Sequence, residues 1–138
     1  MILNPYVDFD GTAAEALNYY AEKLCGEIES RMTFGEMPDA EAHDWITDDN
    51  RDRLAHGALR LGDRLLMVSD TAGMEPHKGH HGVTLNLSFD TVEAARAAFD
   101  ALAEEGEVRM PFGATAWAEG FGMLRDRFGV SWMMNCDR

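Results

Sequence analysis

The feature that most constrains this chain is an internal echo at a constant spacing. Phe9-Asp10 recurs as Phe89-Asp90, and Gly26-Glu27-Ile28 recurs as Gly106-Glu107-Val108, both 80 residues further on. Between these anchors Ala14 matches Ala94, Ala21 matches Ala101, and Tyr19 stands against Phe99. One match would be chance. An offset held through a whole strand-to-helix-to-strand stretch marks a duplicated structural unit.

Each copy opens on a β-rich run, residues 2–9 and 83–89. Each run leads into a helix start, where Thr12 with Glu15 and Asp90 with Glu93 fit capping boxes. Apolar residues follow at helical spacing: Ala13, Leu17, Tyr20 and Leu24, then Val92, Ala95, Phe99 and Leu102. Gly26 and Gly106 stand where a glycine releases the chain from a helix. The pattern predicts strands over 27–34, 54–61 and 64–70, and over 107–116, 122–127 and 130–137. Gly62-Asp63 and Phe128-Gly129 supply hairpin turns, and Met67 corresponds to Met133 at a spacing of 66. The acidic stretch 35–53 reads as a long loop. The stretch 71–82, with its Gly, Pro and His, reads as a linker. The fold class is therefore α+β: one domain over 1–138, built from two βαβββ modules at about 1–72 and 82–138.

A small sheet with one helix covers only one of its faces. Strand alternation then sorts the side chains. Val7 and Phe9, Leu85 and Leu87, Leu66 and Val68, and Trp132, Met134 and Cys136 form apolar sets suited to packing under a helix. The alternate positions are mixed and polar. Two modules side by side would curve their sheets into a shared cup lined by Asn4, Tyr6, Met67, Ser69, Asn86, Met133 and Asn135. Trp117 and Phe121 are expected to line its mouth or lid, or to pack at a dimer interface.

Composition excludes some partners. Acids outnumber bases 25 to 12, for a formal charge of −13, and nucleic acids and anionic membranes both require a basic footprint. Apolar residues make up 46% of the 138, enough for a sizeable core. No apolar run is long enough to span a bilayer. The N-terminal residues lack the basic and apolar regions of a secretory signal, so a cytoplasmic location is expected. Cys25 and Cys136 have no histidine near them in sequence and read as two buried or half-buried thiols.

Several segments carry a family resemblance. Pro5-Tyr-Val-Asp-Phe-Asp-Gly11 with Glu15-Ala16 and Tyr19-Tyr20 resembles the opening of PhnB-like proteins. So do His56-Gly-Ala-Leu59, Leu66-Met67 with Ser69-Asp70, Met110-Pro111 with Thr115 and Trp117, and the closing Asp126-Arg-Phe-Gly-Val-Ser-Trp132 with Asn135-Cys136. PhnB-like proteins belong to the vicinal oxygen chelate superfamily, with glyoxalase I, bleomycin-resistance proteins and extradiol dioxygenases. The resemblance implies paired βαβββ modules and a homodimer. Some relatives carry a ubiquinone-related methyltransferase label, but no glycine-rich loop opens a helix here to cradle S-adenosylmethionine.

The resemblance also implies where a metal would sit in catalytic members, on the first and last strand of each module. Those places fall near Asn4 or Tyr6, Met67 or Ser69, Thr84 or Asn86, and Met133 or Asn135. None is His, Glu or Asp, and neutral oxygens hold Zn²⁺, Ni²⁺ or Fe²⁺ poorly. No metal and no other cofactor is therefore expected in the standard place. His56 is the histidine with the best claim to chemistry, as a general base or hydrogen-bond donor at the cup, against a plain packing role. Asp70 could orient it or cap a turn. His77, His80 and His81 form a cluster in the linker, read as a solvated loop with a metal-binding alternative. The leading expectation is a binder of a small molecule, without nucleic acid or membrane as partner. The alternative is an enzyme of lyase, dioxygenase or transferase type using His56, with or without a divalent metal. A third possibility is an assembly role in which the cup is filled by the protein's own side chains.

Overall fold

In the computed structural model, which describes residues 1–138, the duplicated pattern folds twice. Two compact units result, Met1–Lys78 and Gly79–Arg138. The first runs β1 (Tyr6–Phe9), α1 (Ala13–Lys23), β2 (Glu27–Thr33), β3 (Leu54–Leu61) and β4 (Arg64–Asp70). The second runs β5 (Thr84–Ser88), α2 (Val92–Ala103), β6 (Glu107–Gly113), β7 (Ala118–Arg125) and β8 (Ser131–Asp137). The sheet orders are β1-β4-β3-β2 and β5-β8-β7-β6, the same connection made twice. In each, the first strand pairs parallel to the last and the other pairs are antiparallel. No helix is long and apolar enough to cross a membrane.

The register confirms the correspondence. Tyr6 pairs with Met67 in the first unit, and Asn86 pairs with Met133 in the second. A further repeat lies in the third strands: Gly57-Ala-Leu59-Arg60 against Gly122-Met-Leu124-Arg125, at a spacing of 65. Gly57 faces Val68, and Gly122 faces Met134. Both glycines permit a close helix approach. A Cβ on Gly57 would lie 2.8 Å from Leu17 of α1, and one on Gly122 would lie 2.7 Å from Phe99 of α2.

The cores lie under the helices. Ala13, Ala16, Leu17 and Tyr20 of α1 bury with Leu59, Leu66 and Val68. Ala95, Ala98, Phe99 and Leu102 of α2 bury with Leu124, Trp132, Met134 and Cys136. The expected alternation therefore holds on β4 and β8. Each fully buried Leu, Val or Met contributes about 2 kcal/mol of transfer free energy.

Five local expectations need correction. The first strand is short, Tyr6–Phe9 rather than 2–9. Pro5 has no N–H to give to a ladder, and the Asn4 carboxamide oxygen accepts from Leu65 N instead. The α1 start is not a capping box, because Thr12 makes no side-chain cap. Asp70 Oδ1, from the end of β4, accepts from Gly11 N and Ala13 N at 2.9 Å each. At α2 the cap is Thr91 rather than Asp90, with the Thr91 hydroxyl accepting from Ala94 N. Finally, Gly26 and Gly106 are not left-handed helix stops. Cys25 takes the left-handed position, φ 54°, and is exposed rather than buried. The two glycines serve close packing: a Cβ on Gly26 would lie 2.9 Å from the Arg60 carbonyl, and one on Gly106 2.4 Å from the Arg125 carbonyl.

The 35–53 segment is irregular, as expected, but it is anchored. The buried Asn50 side chain accepts from Thr47 N and donates to the Trp45 and Ala72 carbonyls. Phe34 and Trp45 meet edge to face at 5.3 Å. The turn after β4's partner strand uses Gly62 at φ 62°, and the β7–β8 connection uses Gly129 at φ 84°.

Candidate ligand-binding faces

Within each unit the single α-helix packs on one face of the sheet, and no helix of that unit covers the other face. In the first unit this face carries Tyr6 and Asp8 of β1, Met67 and Ser69 of β4, His56 and Ala58 of β3, and Met32 of β2. Cross-strand pairing sets these neighbours: Tyr6 with Met67, Met67 with Ala58, Met32 with His56. Tyr6 is 56% exposed and its ring stacks on the His56 imidazole, centroids 6.4 Å apart. His56 is half-buried. Asp70 does not orient it. Besides capping α1, the Asp70 carboxylate accepts from Leu54 N at 2.9 Å, so both oxygens are committed to backbone N–H groups. Ser69 is buried and donates to the Ala55 carbonyl at 2.8 Å, which leaves its hydroxyl turned to the backbone.

The corresponding face of the second unit differs in chemistry. Met133 is flanked by Asn86 on β5 and Met123 on β7, and Met123 pairs in turn with Met110 on β6. Three thioethers thus cross three adjacent strands. Phe121 lies on β7 opposite Asn135. Trp117, 61% exposed just before β7, meets Phe121 edge to face at 5.6 Å. Asn86 donates to Ser88 Oγ and Asn135 donates to Asp137 Oδ1, so both amides are held by their own strands. The β7 strand starts at Ala118, four residues earlier than the sequence pattern predicts, and so takes Phe121 into the sheet. A shallow, open depression of about 570 Å³ lies elsewhere in this unit, beside α2 at Ala97, Asp100, Ala101 and Val108.

The place filled by His56 in the first unit is filled by Phe121 in the second, and Ala58 is answered by Met123. The sequence contains the signal for this correspondence, the Gly-x-Leu-Arg pair in β3 and β7. Its spacing of 65 differs from the 80 of the helices because the β2–β3 connection is longer than the β6–β7 one.

The linker is more ordered than its glycines imply. His77 Nε2 lies 3.1 Å from Asp8 Oδ1 within the first unit. In the second unit Arg125 Nη2 donates to the His80 carbonyl at 2.9 Å, while the Arg125 Nε is buried with no hydrogen-bond partner. Of the two thiols, Cys136 is buried among apolar groups, and burial pushes its pKa up, away from a reactive thiolate.

A sequence profile of the Glyoxalase/Bleomycin resistance protein/Dioxygenase superfamily matches residues 2–134. The chain belongs to that superfamily. Among curated proteins it is 36% identical to Protein YjdN of Escherichia coli (strain K12), covering 98% of this chain and 95% of that one. Among solved structures it is similar to protein PA1353 from Pseudomonas aeruginosa, at 39% identity and a TM-score of 0.87, covering 99% and 98% of the two chains. The PhnB protein from Bacillus cereus shares the fold at 24% identity and a TM-score of 0.78, covering 99% of each chain. The glyoxalase/bleomycin resistance fold and the superfamily expected from the sequence are thus both found.

The superfamily's standard metal position does not suit this chain. The donors at the expected places are Asn4, Tyr6, Met67, Ser69, Thr84, Asn86, Met133 and Asn135. Asn4 and Ser69 are already spent on backbone partners, and what remains is amide, hydroxyl and thioether. Such a set lacks the imidazole or carboxylate that a borderline divalent ion selects.

Proposed function

We propose that this superfamily member binds a small organic molecule on its uncovered sheet faces, without a metal in the standard position. The observation that supports this is the sorting of side chains on β4 and β8. On those strands alternate residues pack under the helix of their own unit, and the opposite faces carry a stacked Tyr6–His56 pair beside β4 and a thioether–aromatic surface beside β8. Aromatic rings and adaptable thioethers suit a flat or irregular apolar ligand, and the flanking amides supply few, directed polar contacts. In this reading the protein acts as a homodimer, because β1, β2, β5 and β6 are edge strands of their sheets and need cover. Sedimentation at micromolar concentration checks the dimer.

Native mass spectrometry on freshly purified protein tests the binding. The expected result is a non-covalent adduct of small-molecule mass, reduced in Phe121→Ala and in Tyr6→Ala. A bare protein mass, with no thermal shift from a library of neutral and cationic aromatic compounds, overturns the reading.

A second reading makes His56 a general base in an enzyme. Its half-buried imidazole on the open face, stacked on Tyr6, favours it. His56→Ala separates the two: a binder keeps its adduct unchanged in mass, whereas an enzyme accumulates a different, unconverted molecule.

A further inference from the structure

We propose that the Arg125 guanidinium, with the Ser131 and Thr84 hydroxyls on the same row of the second unit's sheet, binds the carboxylate of a small organic acid. Arg125 ends β7 and pairs with Ser131 on β8, which pairs in turn with Thr84 on β5. Paired residues point to one side of a sheet. Leu124 and Trp132, the chain neighbours of Arg125 and Ser131, are buried in the core under α2, so alternation turns this row to the opposite face. Of the guanidinium's N–H donors the structure engages one: Nη2 donates to the His80 carbonyl, in the same unit, at 2.9 Å. Nε is buried with no hydrogen-bond partner, and Nη1 makes no hydrogen bond and is not buried. The Ser131 and Thr84 hydroxyls make none either.

The other copy of the repeat shows this place with its charge neutralised. Arg60 is the counterpart of Arg125, closing the same Gly-x-Leu-Arg segment. It ion-pairs with Glu29, the residue at the register shift of β2 between Ile28 and Ser30. The matching shift of β6 falls between Val108 and Met110, and the residue there is Arg109. The acid that answers the arginine in one unit is thus a second base in the other. Glu107, which pairs with Arg125 in register, is 71% exposed and meets Arg109 instead, its Oε1 3.8 Å from the Arg109 Nε. Arg125 therefore enters no ion pair, in a chain whose acids outnumber its bases 25 to 12. A half-buried guanidinium left this way costs stability through its unsatisfied charged donor. A planar carboxylate is the ligand whose two oxygens match a guanidinium edge. One guanidinium beside Glu107, in an acidic chain, suits a single negative charge better than the two of a phosphate. A purely structural Arg125 explains the bond to the His80 carbonyl but not the exchange of its acid partner for Arg109.

The probe is sodium acetate, titrated into the full-length ¹⁵N-labelled chain against chloride at constant ionic strength, with acetamide as its neutral counterpart. The readouts are the Arg125 Nε–H resonance and the Thr84 and Ser131 backbone amides. The expected result is a saturable downfield shift of the Nε–H, with a midpoint of about 10 mM or below, followed by the two amides. Acetamide produces none, and the Arg60 Nε–H, already paired with Glu29, stays in place. Arg109→Glu restores the acid of the first unit at an exposed position and weakens the response about fivefold, with the α2 amides unmoved. Arg125→Met abolishes the response of the two amides. An equal response to acetamide overturns the proposal, as does a response that survives both substitutions, or none in the parent. Saturation by inorganic phosphate at lower concentration than by acetate overturns the carboxylate class. The outcome is independent of whether an apolar molecule binds the sheet faces, because no such molecule enters the experiment.

Discussion

The first unit secures the start of its helix from a distance, and the second secures it locally. In the first, the Asp70 carboxylate crosses from the end of β4 to Gly11 N and Ala13 N, and also holds Leu54 N at the start of β3. In the second, Thr91 caps α2 by itself. The second unit's buried carboxylate is spent elsewhere. Asp126 accepts from Phe128 N, Val130 N and Trp132 Nε1, shaping the β7–β8 turn and fixing the large core indole. Two copies of one topology thus use a buried aspartate for different ends. What they share is the backbone ladder and the apolar alternation. The polar devices and the open faces are where they diverged.

Substitutions at these points would break or sharpen that contrast. Asp70→Ala has the largest expected effect, a loss of about 4 kcal/mol in chemical denaturation, because three backbone N–H groups lose a charged acceptor. Hydrogen exchange should show α1 opening first, while α2 keeps its protection. Gly106→Ala should cost about 3 kcal/mol and Gly26→Ala somewhat less, since the added methyl meets a carbonyl at 2.4 Å in one case and 2.9 Å in the other. Equal costs at the two glycines would argue that the units tolerate crowding alike. Thr91→Ala should cost about 1 kcal/mol and Thr12→Ala almost nothing, measured by the same denaturation. A comparable loss at Thr12 would mean that α1 is capped locally after all.

The smallest expected effect concerns Asp10. Its hydrogen bond from Arg53, with the guanidinium charge beside it, holds the carboxyl below the usual value of 3.8. A depressed folded-state pKa contributes stability above 3.8, and that contribution fades as pH falls through the folded value. The melting temperature of Asp10→Asn should therefore lie slightly below that of the parent at pH 7. The gap should close in strong acid. The second unit has no matching pair at this place, since Asp90 stands there without an arginine partner in its hydrogen bonds or ion pairs.

Much of this protein was legible in its residues. The repeat, the strands β3 and β4, both helices and the alternation on β8 follow from periodicity. Backbone hydrogen bonding and apolar burial act locally and leave a mark at every second or every third to fourth residue. Other features left no such mark. From the sequence Asp70 could orient His56 or, more simply, cap a turn. Only the folded chain shows three N–H groups converging on it from residues 16 to 59 positions away. Gly26 and Gly106 signalled a turn, but their necessity comes from carbonyls on β3 and β7.

The amino-acid order by itself determined the duplicated βαβββ plan and which side of each strand turns toward a helix, because those depend on neighbours along the chain. Tertiary structure decided that Asp70 caps α1 and that Asp8 meets His77. Each of these depends on groups far apart in sequence, whose approach is set by strand register and by close packing at glycine.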